Sequence, residues 1–285
     1  METSPLAKRL ATRFVAGETL DEALGVARRV GSEGIAITLD HLGESVASLE
    51  EAAAARDVYL HALSAIHDAG IQGNVSLKLT QFGLDFSYDQ CRANVERLVR
   101  SAAALNGFVR VDMESSAYTQ RTIEMVTDLH ARSGAVGVVI QACLYRSRND
   151  IETLCDSAIR VRLCKGAYLE PASVAFPRKS DVDRNFVELM KLLLRRGAYP
   201  AIATHDENII RQTEAYAAQC KIPRDAFEFQ MLYGIRRDLQ RTLLDRGYTV
   251  RIYVPYGGEW YPYFMRRLAE RPANVFFIAR HLFRQ

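Results

Sequence analysis

No stretch of this sequence reaches the roughly 18 consecutive apolar residues that a membrane-spanning helix needs. The first residues, METSPLAKRL, contain no secretory apolar segment either. The five cysteines, Cys91, Cys143, Cys155, Cys164 and Cys220, are odd in number, widely spaced and never arranged as CxxC. That pattern argues against a disulfide or zinc framework and fits reduced thiols in a cytoplasmic protein. Charge of one sign is also scarce: 37 Lys+Arg against 34 Asp+Glu leave a net +3, with no run of five or six basic residues, so no nucleic-acid partner is expected. The six histidines form no HxH or HxxxH pair, and no metal site is expected. Neither GxxxxGK[ST] nor GxGxxG occurs, which leaves nucleotide binding by a P-loop or Rossmann unit without support. Nor does any Pro/Gly/Ser linker divide the chain.

What is present is an ordinary globular composition, 48% hydrophobic and 25% charged over 285 residues, with a repeating pattern. Short β-branched apolar runs occur at 34–40, 74–80, 108–113, 136–141, 159–164, 201–206, 227–232 and 250–255. Each is followed by a longer segment of helical character, such as SLEEAAAARDVYLHALSAIHDAG or DRNFVELMKLLLRRG. Eight such βα units in roughly 250 residues predict a (β/α)8 barrel of TIM type over 31–285, with one or two extra helices in an N-terminal segment, 1–30. A doubly wound open sheet is the rival, weakened by the missing glycine-rich first turn.

A barrel puts function at the carboxyl ends of its strands. The polar residues there are Asp40 and Glu44, Lys78, Asp112 and Glu114, Gln141, Arg162 with Lys165-Gly166-Ala167-Tyr168, Thr204-His205-Asp206, Gln230 and Tyr253. Lys78 alternates with Leu77 and Leu79, so it faces the barrel interior if those leucines face the helices. An inward lysine is rarely filler, because burying an unpaired charge is costly. Two readings stand beside a binding role, a Schiff-base nucleophile and a plain partner of Asp112 on the next strand. His205 reads as a donor to a ligand or a satisfied core histidine. Lys165-Gly166 supplies a flexible backbone and a cation where a phosphate could rest. Beyond the eighth strand, YPYFMRRLAERPAN forms an amphipathic helix. On it Tyr263, Arg266, Arg267 and Glu270 share one arc, while Phe264, Met265, Leu268 and Ala269 share the other.

These pieces together resemble the proline dehydrogenase family of flavin-dependent (β/α)8 barrels. The resemblance is carried by LDHLGE (39–44), Lys78, VDMES (111–115), Gln141, RLCKGAY (162–168), ATHDEN (203–208), EFQMLYG (228–234), RIYVPYG (251–257) and YFMRRLAERPAN (263–274), in family order. It implies oxidation of L-proline to Δ1-pyrroline-5-carboxylate by hydride transfer to N5 of FAD, with electrons leaving to a quinone. It further implies that Arg266 and Arg267 grip the substrate carboxylate, that Lys78 adds a third cation, and that Asp112 belongs to the network beneath the substrate. Tyr253, Tyr263 and Leu232 would contact the ring, and Arg162 would lie near N5. Gln141, Lys165, Gly166, Ala167, Tyr168, Thr204, His205, Gln230 and Glu270 match cofactor-contacting positions. Glu44 matches the acid that pairs with Arg266 in the closed site. A hand-off to pyrroline-5-carboxylate dehydrogenase and peripheral contact with the inner membrane belong to the same expectation. One departure is Pro177, in FPRKSDVD, where some members carry a hydroxyl residue. The alternatives are a flavin barrel of the folate reductase kind, a Schiff-base aldolase and a non-catalytic scaffold.

Overall fold

The computed structural model describes residues 11–43 and 45–269, with side chains as far as residue 265. Eight parallel strands close into a barrel in sequential order. They are β1 (Ala36–His41), β2 (Gly73–Leu77), β3 (Val109–Val111), β4 (Val136–Gln141), β5 (Val161–Cys164), β6 (Ala201–Ala203), β7 (Glu228–Leu232) and β8 (Thr249–Tyr256). The helices are α1 (Leu20–Gly31) before the barrel, then α2 (Leu49–Asp68), α3 (Tyr88–Ala104), α4 (Thr119–Ser133), α5 (Ser147–Asp156), α6 (Lys179–Arg196), α7 (Glu207–Gln219), α8 (Arg237–Asp245) and α9 (Trp260–Ala269). Closure is made by β8 against β1, in register from Ala36 opposite Arg251 to His41 opposite Tyr256. The (β/α)8 expectation therefore stands, and each strand overlaps its predicted run.

Local chemistry sets the helix starts. The side chain of Thr19 accepts from the backbone N–H of Glu22, whose own carboxylate returns a bond to the Thr19 N–H, a reciprocal cap on α1. Ser48, Ser87 and Asp206 cap α2, α3 and α7 one-sidedly, each side chain accepting a backbone N–H of the first turn. Ile37, Leu39, Val75, Leu77, Val109 and Val111 are fully buried in the layer between strands and helices. Their alternates on β1, β2 and β3, which are Thr38, Asp40, Asn74, Ser76 and Arg110, face the barrel axis and are polar. An interior of charges where branched aliphatics are usual has to be paired internally, and that pairing creates the site.

A second apolar cluster joins Ala11, Phe14 and Val15 to Leu42, Trp260, Tyr263 and Phe264. Leu42 follows β1, so the cluster seats the first half of α9 over the carboxyl end of the barrel. The buried stripe is Trp260, Tyr263 and Phe264 at i, i+3 and i+4, while Met265 is 43% exposed. This corrects the expected two arcs: the helix buries Tyr263 with Phe264 and turns Met265 outward, because the N-terminal segment packs on that side.

Candidate active site

Asp112, one residue beyond β3, is the centre of the mouth. Its Oδ1 accepts from Ser76 Oγ at 2.6 Å and from Arg162 Nη1 at 2.8 Å, and its Oδ2 accepts from the Tyr253 hydroxyl at 2.8 Å. Four strands, β2, β3, β5 and β8, thus converge on one carboxylate. Arg162 also donates to Ser76 Oγ at 3.2 Å and lies 5.4 Å from the centre of the Tyr253 ring. Bonds of this charge-assisted kind are short and directional, so the four side chains hold one another in place. Arg162 Nε and Nη2 nevertheless remain buried and make no hydrogen bond among the described residues. Burial, and then the charge of Asp112, push the Tyr253 hydroxyl well above its ordinary pKa, so it stays a proton donor.

Lys78 follows β2 directly, and Leu77 and Leu79 are fully buried against the helices, which turns Lys78 to the interior. Its Nζ lies 3.8 Å from Asp40 Oδ2. Among the described residues, an acid at ion-pair distance from Lys78 is thus Asp40 on β1, whereas Asp112 is engaged by Arg162.

The loop after β5 forms a shelf beside this centre. Gly166 has φ +107°, and a Cβ there would lie 2.4 Å from Cys143 Sγ, so only glycine fits. The shelf is tied down at three points. Lys165 Nζ bridges Asp183 of α6 at 2.5 Å and Asp206, the N-cap of α7, at 3.0 Å. Glu170 accepts from the backbone N–H and hydroxyl of Ser116 at 2.7 and 2.5 Å. Tyr145 N–H donates to Val174 O at 3.0 Å. Burial alone would raise Asp183 and Asp206, but their lysine partners outweigh it and hold both carboxyls below the usual range. Ala167 is exposed and Tyr168 half-buried on the shelf, and Leu169 beside them is fully exposed.

Gln141 ends β4, buried, and donates to Glu114 O at 2.9 Å. His205 Nε2 accepts the Leu232 N–H at 3.0 Å, which puts the ring proton of the neutral form on Nδ1. Thr204 Oγ1 accepts from the Asp206 N–H at 3.1 Å. Gln230 donates to Glu228 Oε1 at 2.5 Å. Tyr263 is buried on the inner face of α9. Arg266 and Arg267 lie on the backbone of α9, but their side chains are outside the described residues, as are Glu270 and Glu44. Among the described residues, no three His, Cys, Asp or Glu side chains converge as metal ligands, and no helix is long and apolar enough to cross a membrane.

Three contributors, Ser76, Glu170 and Asp183, were not singled out from the sequence. Ser76 had a signal, since N-V-S-L-K alternates and Ser76 shares the inward face with Asn74 and Lys78. Glu170 and Asp183 had none, because their partners lie in other units of the barrel.

A sequence profile described as proline dehydrogenase matches residues 23–280. Proline dehydrogenase of Deinococcus radiodurans is 43% identical over 276 residues, 95% of this chain and 89% of the relative. Proline dehydrogenase 1 of Bacillus subtilis subsp. natto is 41% identical over 275 residues, 96% of this chain and 91% of the relative. Among solved structures, proline utilization A from Bdellovibrio bacteriovorus, inactivated by N-propargylglycine, superposes with a TM-score of 0.87 at 28% identity. It covers 92% of this chain, which spans 32% of that much longer one. With an eight-stranded parallel barrel and a converging polar mouth behind these matches, the chain belongs to the proline dehydrogenase family of oxidoreductases.

Proposed function

We propose that this chain oxidises L-proline to Δ1-pyrroline-5-carboxylate in one catalytic barrel over 31–285, with FAD as the resident cofactor, a quinone as electron acceptor and a cytoplasmic location. The observation that carries the reading is Arg162, a buried guanidinium fixed through Nη1 with Nε and Nη2 uncommitted among the described residues. Such atoms cost free energy unless a ligand uses them. Gly166 adds a backbone shelf that excludes any side chain, so the residues present suit a flat, polar-edged ring system. FAD, when bound, supplies the hydride-accepting atom.

The chain's own residues do the rest. Arg162, Gln141, the Lys165–Tyr168 shelf, Thr204, His205, Gln230 and Glu270 would hold the cofactor. Arg266, Arg267 and Lys78 would fix the substrate carboxylate, paired guanidiniums being suited to bidentate recognition at any working pH. Fixing that end aims the ring carbon, so orientation supplies much of the rate. Tyr253, Tyr263 and Leu232 would wall the ring and exclude water, Asp112 would hold Arg162 and Tyr253 in register, and Glu44 with Arg266 would close the site. Product release toward a pyrroline-5-carboxylate dehydrogenase fits the two-activity names of longer relatives, described as bifunctional.

The purified protein should be yellow, and anaerobic L-proline should bleach the flavin absorption. Colourless protein that FAD cannot reconstitute would overturn the reading. Reduction by a nicotinamide but not by proline would move the chain toward the folate reductase alternative. At single-residue level, Arg267→Met should weaken proline binding at unchanged flavin content, and unchanged affinity would remove the carboxylate role.

A further inference from the structure

The mouth holds a buried carboxylate to which the proposed function assigns no role. Asp40, at the fifth position of β1, is 1% exposed. Its Oδ1 is within 3.3 Å of the Tyr59 hydroxyl. That hydroxyl has one proton and two other acceptors in reach, His41 O and Gln81 Oε1. Gln81 Nε2 already serves His41 O at 3.1 Å, and a bond to a charged acceptor is the strongest of the three. Oδ2 of Asp40 makes no hydrogen bond among the described residues and faces Lys78 Nζ at 3.8 Å. A carboxylate this deeply buried, with one oxygen committed only to a cation, is costly unless that cation needs it.

We propose that Asp40 is a positioning residue: its carboxylate is the buried counter-ion that holds the Lys78 ammonium charged and in place at the mouth, so that the Asp40–Lys78 pair sets the alkaline limit of carboxylate-substrate binding. This rests on the reading of Lys78 as a cation for the substrate carboxylate.

The groups facing Asp40 are Lys78 beyond β2, Asp112 beyond β3, Tyr253 and Tyr256 of β8, and Tyr59 of α2. Burial raises the Asp40 carboxyl and Asp112 raises it further, while Lys78 and the hydroxyls of Tyr253 and Tyr59 pull it down. Burial lifts all three tyrosines above their ordinary value, so none becomes an anion before a lysine of ordinary pKa loses its proton. The nearby Cys164 thiol is pushed up to about 12 and stays silent as well. On this proposal, an alkaline limb that Lys78→Met abolishes belongs to Lys78. Without the anion, a partly buried amine loses its proton at lower pH.

The test uses the FAD-loaded protein and tetrahydrofuran-2-carboxylate, a five-membered-ring acid with no amine to titrate, with affinity followed from about pH 6 to about pH 10.5. Wild-type binding should weaken only near the top of that range. Asp40→Asn should move the limb down by about one unit, which is about tenfold weaker binding on the alkaline side. Asp40→Glu should restore most of it. Lys78→Met should weaken binding at every pH and abolish the limb, and Asp40→Asn added to it should change nothing more. An unmoved limb in Asp40→Asn, with Lys78→Met behaving as described, overturns the counter-ion role and leaves the Lys78 reading intact. Unchanged binding in Lys78→Met overturns that reading and this inference together. If Asp40→Asn does not fold, the Lys78 ε-carbon shift in the wild type, assigned by difference from Lys78→Met, gives the answer directly. A titration midpoint at or above about 10.4 supports the pair, and one well below it overturns it.

Discussion

The barrel has two polar regions, and they differ in how completely they are used. At the floor, Arg251 gives Nε to both oxygens of Glu228 at 2.9 and 3.1 Å and Nη1 to Ile37 O at 2.8 Å. Asn74 takes the Thr38 hydroxyl at 2.5 Å, and Arg110 Nη1 reaches Val138 O and Arg160 O at 3.2 and 2.5 Å. Apart from Arg110 Nε, these side chains spend their buried capacity on one another and on backbone carbonyls. At the mouth, the Asp112 network is equally tight, yet Arg162 keeps two nitrogens and Asp40 one oxygen without hydrogen bonds among the described residues. Both regions hold charges that a hydrophobic core would have made unnecessary. A closed network closes a barrel; a network with directed, unspent donors is built around something that arrives later.

If that contrast holds, the two regions should fail differently. The largest effect belongs to the floor: Arg251→Met strands the Glu228 carboxylate and should cost about 3–5 kcal/mol of stability near neutrality, read by denaturant unfolding. In the folded protein Arg251 outweighs the upward push of burial and holds the Glu228 carboxyl below its ordinary range. The pair therefore stabilises the wild type above the unfolded glutamate pKa, and that contribution is lost as pH falls through the depressed folded value. In Arg251→Met the same carboxyl is raised, so its penalty is relieved as pH falls, and the gap between variant and wild type should narrow below about pH 5. At the mouth, Arg162→Met should lower turnover about 10²–10³-fold with a smaller stability loss. Gly166→Ala should reduce flavin occupancy by about tenfold, since the added methyl meets Cys143 Sγ and a strained φ. Lys165→Met should have the smallest effect, at most about 1 kcal/mol, because its bridge is partly solvated. It should show as faster proteolysis of the loop after β5 and only severalfold weaker flavin binding.

The same contrast explains what the sequence disclosed. Strands β4 and β8 were legible as runs because their wall-facing residues are branched and continuous, and the loops between units are short enough to keep the period visible. Lys78, Asp112 and Arg162 stood out because a charge inside such a run has no cheap structural excuse. Ser76 did not, since a serine near a strand end is unremarkable until its partners on β3 and β5 are known, and Asp40 was legible as a polar strand end but not as the partner of Lys78. The wheel of α9 misassigned Met265, because which side a helix buries depends on the segment packed against it, here Ala11 to Val15. Pairings such as Glu170 with Ser116 span separate units and leave no local trace.

The central claim is that Asp112 organises chemistry whereas the floor organises the fold. It is tested most directly by mixing the FAD-loaded proteins anaerobically with saturating L-proline and measuring the rate of flavin reduction per bound flavin. Asp112→Asn, which keeps shape but weakens its hold on Arg162 and Tyr253, should slow reduction by at least about 100-fold, while Arg251→Met should stay within about threefold of wild type once corrected for folded fraction. Equal rates for Asp112→Asn and wild type, or a loss in Arg251→Met as large as that in Asp112→Asn, would contradict it.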